Sequence, residues 1–184
     1  MPSLQENRRT RQQPPHSRLV LCREAGRGED EEGEEVKAYC DGACRCGNPG
    51  ETSCAFAVFD YEGQITPRIK KRFYLGPELH TNNYAEYQGL LHLLNWAHDQ
   101  GVNGLDIYCD SKLVVNQVSG SWAVNSPEIA HLFVRAYALY VRGKHILHHV
   151  HGHSGDPGNE YVDKLCNEVL DEEFARREKN EKSQ

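Results

Sequence analysis

The hydrophobic period changes once along this chain of 184 residues, and that change decides what it can build. Up to Leu75, apolar residues alternate with polar ones or run in short blocks. From Thr81 onward they recur mostly at helical spacing. Val36, Ala38 and Cys40 alternate with Lys37 and Tyr39, a strand that runs into Asp41. Gly47-Asn48-Pro49-Gly50 reads as a turn. Cys54–Asp60 and Arg68–Leu75 read as two more strands, joined by the turn signal Glu62-Gly63, so the first three form an antiparallel meander. Thr81-Asn82-Asn83 offers helix caps, and Ala85, Leu90, Leu93, Leu94 and Ala97 carry a helix to Gly101. Leu105, Ile107 and Cys109 form a short buried strand ending at Asp110. Two helices follow, Lys112–Val118 and one from Ser126-Pro127 towards Gly143, then a strand over His145–Val150. Asp156 caps a last helix with Pro157 at its first position and an apolar stripe of Val162, Leu165, Val169 and Leu170. The order β-β-β-α-β-α-α-β-α predicts an α/β fold. It is a five-stranded mixed sheet, three antiparallel strands and then parallel ones, flanked by helices. Helix crossovers make the first, fourth and fifth strands parallel neighbours.

The flanks differ in composition. Residues 1–33 are rich in Arg, Gln, Glu, Pro and Gly and bury too little to order themselves, so a disordered N-terminal extension is expected there. The foldable domain is expected over 34–175, and 176–184 reads as a frayed helix end and tail. No apolar run approaches the ~20 residues that cross a bilayer, and an apolar signal-peptide core is missing. A cytoplasmic, monomeric protein without a membrane partner is expected. Seven Cys, an odd number, suit reduced thiols. Cys40, Cys44 and Cys46 lack the CxxC spacing of a zinc site.

Charge bounds the partners. The formal net charge is −6, split as +4 over 1–28, −6 over 29–35 and −4 over the rest. A chain that grips nucleic acid by charge alone carries a basic excess, and this one does not. Any polyanion it handles has to meet carboxylates already occupied by cations.

Asp41 and Asp110 both end apolar strands with the same spelling, Tyr-Cys-Asp (39–41 and 108–110). If those strands are parallel neighbours, both carboxylates reach the same end of the sheet, where open α/β sheets place their ligands. Glu86 lies early in the first helix and Asp163 in the last. Four acids from four elements can converge, and their mutual repulsion calls for divalent cations. All-oxygen ligation favours Mg²⁺ or Mn²⁺ over zinc. Each acid also has a plain reading: Glu86 in a capping arrangement with Asn83, Asp110 as an N-cap beside Ser111, Asp41-Gly42 as a turn, Asp163 as a solvated residue facing Lys164 or Asn167. Their joint occurrence favours a site. The stretch His145–His153 is His-rich, and His149, His151 and His153 share one face if it is extended. Scattered strand residues plus one functional imidazole, His153 in a Gly-Ser-Gly loop, outweigh a transition-metal site.

Taken together, these residues resemble the ribonuclease H type 1 family. The matching pieces are Asp41-Gly42-Ala43 with Gly47-Asn48-Pro49-Gly50, Thr81-Asn82-Asn83-Tyr84-Ala85-Glu86, Asp110-Ser111, and the run from His153 to Asp163. They occur in the family's order over roughly 36–170. The resemblance implies a ribonuclease H-like fold and an endonuclease that cuts the RNA strand of RNA–DNA hybrids, leaving 5′-phosphate and 3′-hydroxyl ends. It implies that Asp41, Glu86, Asp110 and Asp163 hold two Mg²⁺ ions, with Mn²⁺ able to substitute, and that His153 assists proton transfer or product release. By the same matching, Glu86 also meets the ribose 2′-OH, Gly42, Asn48 and Asn83 lie in the hybrid groove, Thr81 binds a DNA-strand phosphate, and Lys112 supplies a phosphate contact. Trp122 either stacks near the DNA strand or is buried.

The chain departs from the family pattern in three places. The interval containing Cys44-Arg45-Cys46 is one residue longer than in the common bacterial form. Residues 119–144 carry only Arg135, Arg142 and Lys144 where some relatives have a basic handle. Nothing in 1–35 resembles an accessory hybrid-binding module. Weak, salt-sensitive binding is therefore expected. The competing readings are a noncatalytic nucleic-acid-binding relic of the same fold, a related nuclease of different substrate, and a His/Cys zinc protein.

Overall fold

The computed structural model describes residues 36–60 and 66–183. The turn expected at Glu62-Gly63 and the N-terminal extension expected over 1–33 lie outside those residues. Nine elements follow in the expected order: β1 (Lys37–Arg45), β2 (Glu51–Phe59), β3 (Pro67–Tyr74), α1 (Asn82–Asp99), β4 (Asp106–Cys109), α2 (Lys112–Val118), α3 (Pro127–Gly143), β5 (Ile146–His149) and α4 (Pro157–Glu181). The sheet order is β3-β2-β1-β4-β5. β1 pairs antiparallel with β2 and β2 with β3, while β4 runs parallel to both β1 and β5. This is the five-stranded mixed sheet of the ribonuclease H-like fold.

The period-two pattern of β1 sorts its side chains between two layers. Ala38 and Cys40 join Phe56, Val58, Tyr87, Leu90, Leu94 and Ile107 in the larger core under α1. Tyr39 turns the other way and packs with Ala57, Phe59 and Val162, beneath α4. Tyr87 is fully buried, and its phenol donates 2.8 Å to Gln117 Oε1, so the one polar atom it takes into the core is satisfied. The helix starts follow cap chemistry. Thr81 Oγ1 accepts from the Tyr84 amide, Ser111 Oγ from that of Val114, and Asp156 from those of Gly158 and Asn159.

Two expectations are corrected. β1 does not stop at Asp41 but continues to Arg45, paired with β2 as far as Arg45↔Glu51, so Asp41-Gly42 is strand rather than turn. α4 continues past 175 to Glu181. Arg177 holds that extension to the sheet, donating 2.7 Å to Glu51 Oε1 and also bonding the Tyr74 hydroxyl. The expected boundary at 175 therefore falls inside a helix. Among the described residues, no helix is long and apolar enough to cross a membrane.

Candidate active site

Asp41 in β1 and Asp110, the residue that follows β4, stand level at one end of the sheet. The parallel register of β1 and β4 includes Tyr39↔Tyr108, and each aspartate lies two residues further along. Identical spelling thus becomes identical placement at one end of the sheet. α1 is brought unusually close to this end by two glycines. A Cβ on Gly42 would lie 2.2 Å from the Ala85 carbonyl carbon, and one on Gly89 would lie 2.4 Å from Asp41 O. Only glycine at both positions lets helix and strand backbones touch. From the other side α4 closes in, with the Cys166 thiol 3.5 Å from Asp41 O and Ser53 Oγ donating 2.7 Å to Cys166 O.

The four acids are near enough to sense one another. Burial holds the Asp41 carboxyl well above the usual carboxylate range, and Asp110, Asp163 and Glu86 add to the effect by repulsion, against one backbone hydrogen bond from Gly42. Burial also pushes Glu86 up to about 7, with Asp110 contributing, while the donors Ser111 and Asn82 pull it down. Glu86 is anchored at both oxygens: Asn82 Nδ2 donates 2.8 Å to Oε1, and Ser111 Oγ donates to Oε2. Asp110 Oδ2 accepts from Asn159 Nδ2 at 3.2 Å. Asp163 Oδ1 accepts from Asn167 Nδ2 at 2.9 Å. Three acids are therefore tied back by their own donors. Among the described residues, no three His, Cys, Asp or Glu side chains close around one point. That holds equally for the His-rich strand and for Cys40, Cys44 and Cys46. The donor chemistry still fits divalent cations: hard carboxylate oxygens from four elements, with one acid destabilised as an anion by the other three.

The plain readings of the acids resolve differently. Glu86 bonds Asn82 and Ser111 rather than capping with Asn83, and the N-cap of α2 is Ser111, not Asp110. Asp163 does face Asn167. Around the acids, Asn48 Oδ1 accepts from the Asn82 amide at 3.0 Å, so its loop reaches the start of α1. Thr81 is engaged by Glu128 of α3: its amide donates 3.3 Å to Oε1 and its hydroxyl 3.0 Å to Oε2. Asn83 is exposed on the first turn of α1, and Lys112 is exposed at the start of α2. His153 sits exposed on the turn before α4, in the left-handed region at φ 53°. Trp122 is 47% exposed, which removes the buried alternative.

Sequence reasoning overlooked Asn82, Asn159 and Glu128. Asn82 had a readable signal, since it precedes Glu86 by one helical turn. Asn159 is buried, and its Oδ1 meets no donor among the described residues. Glu128 comes from a separate element, and no local spacing announces it.

Comparisons with known proteins agree with this fold. The sequence profile of the RNase H family matches residues 33–171. Ribonuclease HI of Halobacterium salinarum is 35% identical over 141 residues, an alignment covering 76% of this chain and 66% of that protein. The solved N-terminal RNase H domain of Rv2228c from Mycobacterium tuberculosis, fused to maltose-binding protein, shares 32% identity at a TM-score of 0.67. It covers 78% of this chain and 99% of that one. LC11-RNase H1, solved in complex with an RNA/DNA hybrid, is 25% identical at a TM-score of 0.65, covering 76% and 99%. The chain spans only 36% of the length of full Rv2228c.

Proposed function

This chain belongs to the ribonuclease H family, type 1, and from that premise we propose that it is an endoribonuclease cleaving the RNA strand of RNA–DNA hybrids, leaving 5′-phosphate and 3′-hydroxyl ends. The observation that carries the reading is the gathering of Asp41, Glu86, Asp110 and Asp163 at one sheet end, where burial first and then repulsion from the other three hold Asp41 well above an ordinary carboxylate. A relative crystallised with an RNA/DNA hybrid supports the substrate class.

In this proposal the four carboxylates hold two Mg²⁺ ions, or Mn²⁺ in their place. Bound there, such ions supply an activated water and stabilise the departing 3′ oxygen. The chain's own residues do the rest. Asn82 and Ser111 fix both oxygens of Glu86, which keeps that carboxylate oriented towards the ribose 2′-OH, the group that distinguishes RNA. Asn159 orients Asp110. Gly42, Asn48, Asn83 and Lys112 line the path of the hybrid, and Thr81 meets a DNA-strand phosphate. His153, exposed on its turn, carries a proton between product and solvent. A domain of net negative charge relies on few basic contacts to phosphate, so its binding is weak and salt-sensitive.

The test is cleavage of labelled RNA–DNA hybrid, duplex RNA and duplex DNA, with Mg²⁺ and with chelator. Hybrid alone should be cut, only with the ion. Asp110→Asn should fold normally and lose several orders of magnitude in rate, because a ligand needed in the transition state is weakened. Cleavage of hybrid by Asp110→Asn at the parent's rate would defeat the proposal.

A further inference from the structure

Arg45, the last residue of β1, lies in the Cys44-Arg45-Cys46 interval that the family pattern leaves without a task. Its side chain leaves the sheet and crosses to α4. The guanidinium pairs with the Asp171 carboxylate, and Nη2 donates 2.8 Å to Asn167 Oδ1. Nη2 also lies 3.5 Å from Asn167 O. On its other end Asn167 donates from Nδ2 to Asp163, 2.9 Å to Oδ1 and 3.0 Å to the backbone carbonyl. Among the described residues, no donor meets Asp163 Oδ2.

We propose that Arg45 is a positioning residue that acts through Asn167 to hold Asp163 ready for its cation. An asparagine amide has two ends that differ only in whether they donate or accept. A guanidinium has donors and no acceptor, so it tolerates only the oxygen end of Asn167. The NH₂ end is thereby obliged to face Asp163. Without Arg45 the amide can turn over and set its oxygen against the carboxylate, which repels it. Asp171 keeps Arg45 in place, since it pairs with the nitrogen that Asn167 does not use. The relay engages one oxygen of Asp163 and leaves the other for the ion. Outer partners of this kind commonly change metal affinity ~10–100-fold.

The inference rests on the reading of Asp163 as a cation ligand, and its test separates the two. The full chain, without nucleic acid, is titrated with Mg²⁺ by calorimetry. Hybrid cleavage is then measured against Mg²⁺ and against substrate, and each variant is melted. Arg45→Met should weaken Mg²⁺ binding about 10-fold and raise the half-saturating Mg²⁺ by the same factor, with KM for hybrid unchanged at saturating ion. Arg45→Lys, still donor-only, should restore affinity to within about threefold of the parent. Asn167→Ala should match Arg45→Met, and the double variant should lose no more, as members of one chain of contacts do. Unchanged Mg²⁺ binding in both Arg45→Met and Asn167→Ala would overturn the relay. So would a raised KM at normal ion affinity, which would place Arg45 on the hybrid. A fall in melting temperature with no rescue by Lys would reduce the contact to packing. If the parent itself takes up no Mg²⁺, the cation reading of the site fails and the relay with it.

Discussion

Replacing Glu86 with Gln should stabilise the cation-free protein above neutral pH while abolishing cleavage. Glu86 is 9% exposed, and burial, with help from Asp110, pushes its carboxyl from 4.5 to about 7. A carboxyl with a higher pKa in the folded state binds its proton more tightly there. Its contribution is therefore fully present below about 4.5 and is lost as pH rises through about 7. That interval corresponds to about 3 kcal/mol, a large part of the roughly 5–15 kcal/mol that holds an ordinary domain together. Gln is neutral throughout and close in shape. Asn82 can still donate to its carbonyl, and the Ser111 hydroxyl can rotate to accept from its NH₂. The assay is urea unfolding of both proteins in chelator near pH 5 and near pH 8. The parent should lose about 2.5 kcal/mol more than the variant across that range. His145, whose Nδ1 accepts from the Leu105 amide, is pulled down by burial from 6.5 to about 4. It gives the opposite slope, with stability lost as pH falls through that window, but both proteins share it; Asp41 also titrates in both, and the Glu86 charge is the smallest of the causes that raise it. Mg²⁺ at a hundredfold excess over its Kd should return about 2.7 kcal/mol to the parent near pH 8 and less to the variant. Equal losses in the two proteins would refute the argument that this carboxylate is held charged against the fold's preference.

Three further outcomes are expected. His153→Ala should lower kcat about 10²-fold, the scale of a general acid–base contribution, and steady-state kinetics showing it as inactive as Asp110→Asn would contradict that role. Glu128→Ala frees the Thr81 amide and hydroxyl and removes a negative charge beside them. KM for hybrid should fall about two- to fivefold with a steeper salt dependence, and an unchanged KM would mean that Glu128 serves only α1. Gly42→Ala has no space for its methyl, 2.2 Å from the α1 backbone. It should cost about 3 kcal/mol, and an undisturbed melting temperature would show that helix and strand can separate without loss.

The elements were legible because each carries its own local grammar. Alternation around Ala38 and Cys40 gave β1, and Asp156-Pro157 marked the start of α4. The common placement of the two Tyr-Cys-Asp aspartates was legible because parallel pairing converts equal spelling into equal height. What escaped was set by distance. The end of β1 at Arg45 depends on β2, which supplies hydrogen bonds beyond the point where the apolar pattern stops. The length of α4 beyond 175 depends on Glu51 and Tyr74, more than a hundred residues earlier. Asn159 and Glu128 matter through partners on other elements, so nothing adjacent in sequence marks them. Asn167 was visible four residues after Asp163, but its orientation is decided by Arg45 across the sheet.

The close approach of β1 and α1 at Gly42 and Gly89 reaches beyond the stability of either position. Asp41 and Glu86 ride on two backbones that abut directly, so covalent geometry rather than the size of intervening side chains acts as the spacer between them. Leu90, Leu94 or Ile107 can drift to other apolar residues over evolutionary time and alter how tightly the interior fills, yet the gap between these two acids stays calibrated. A catalyst built this way can wander far in sequence and keep its working dimensions.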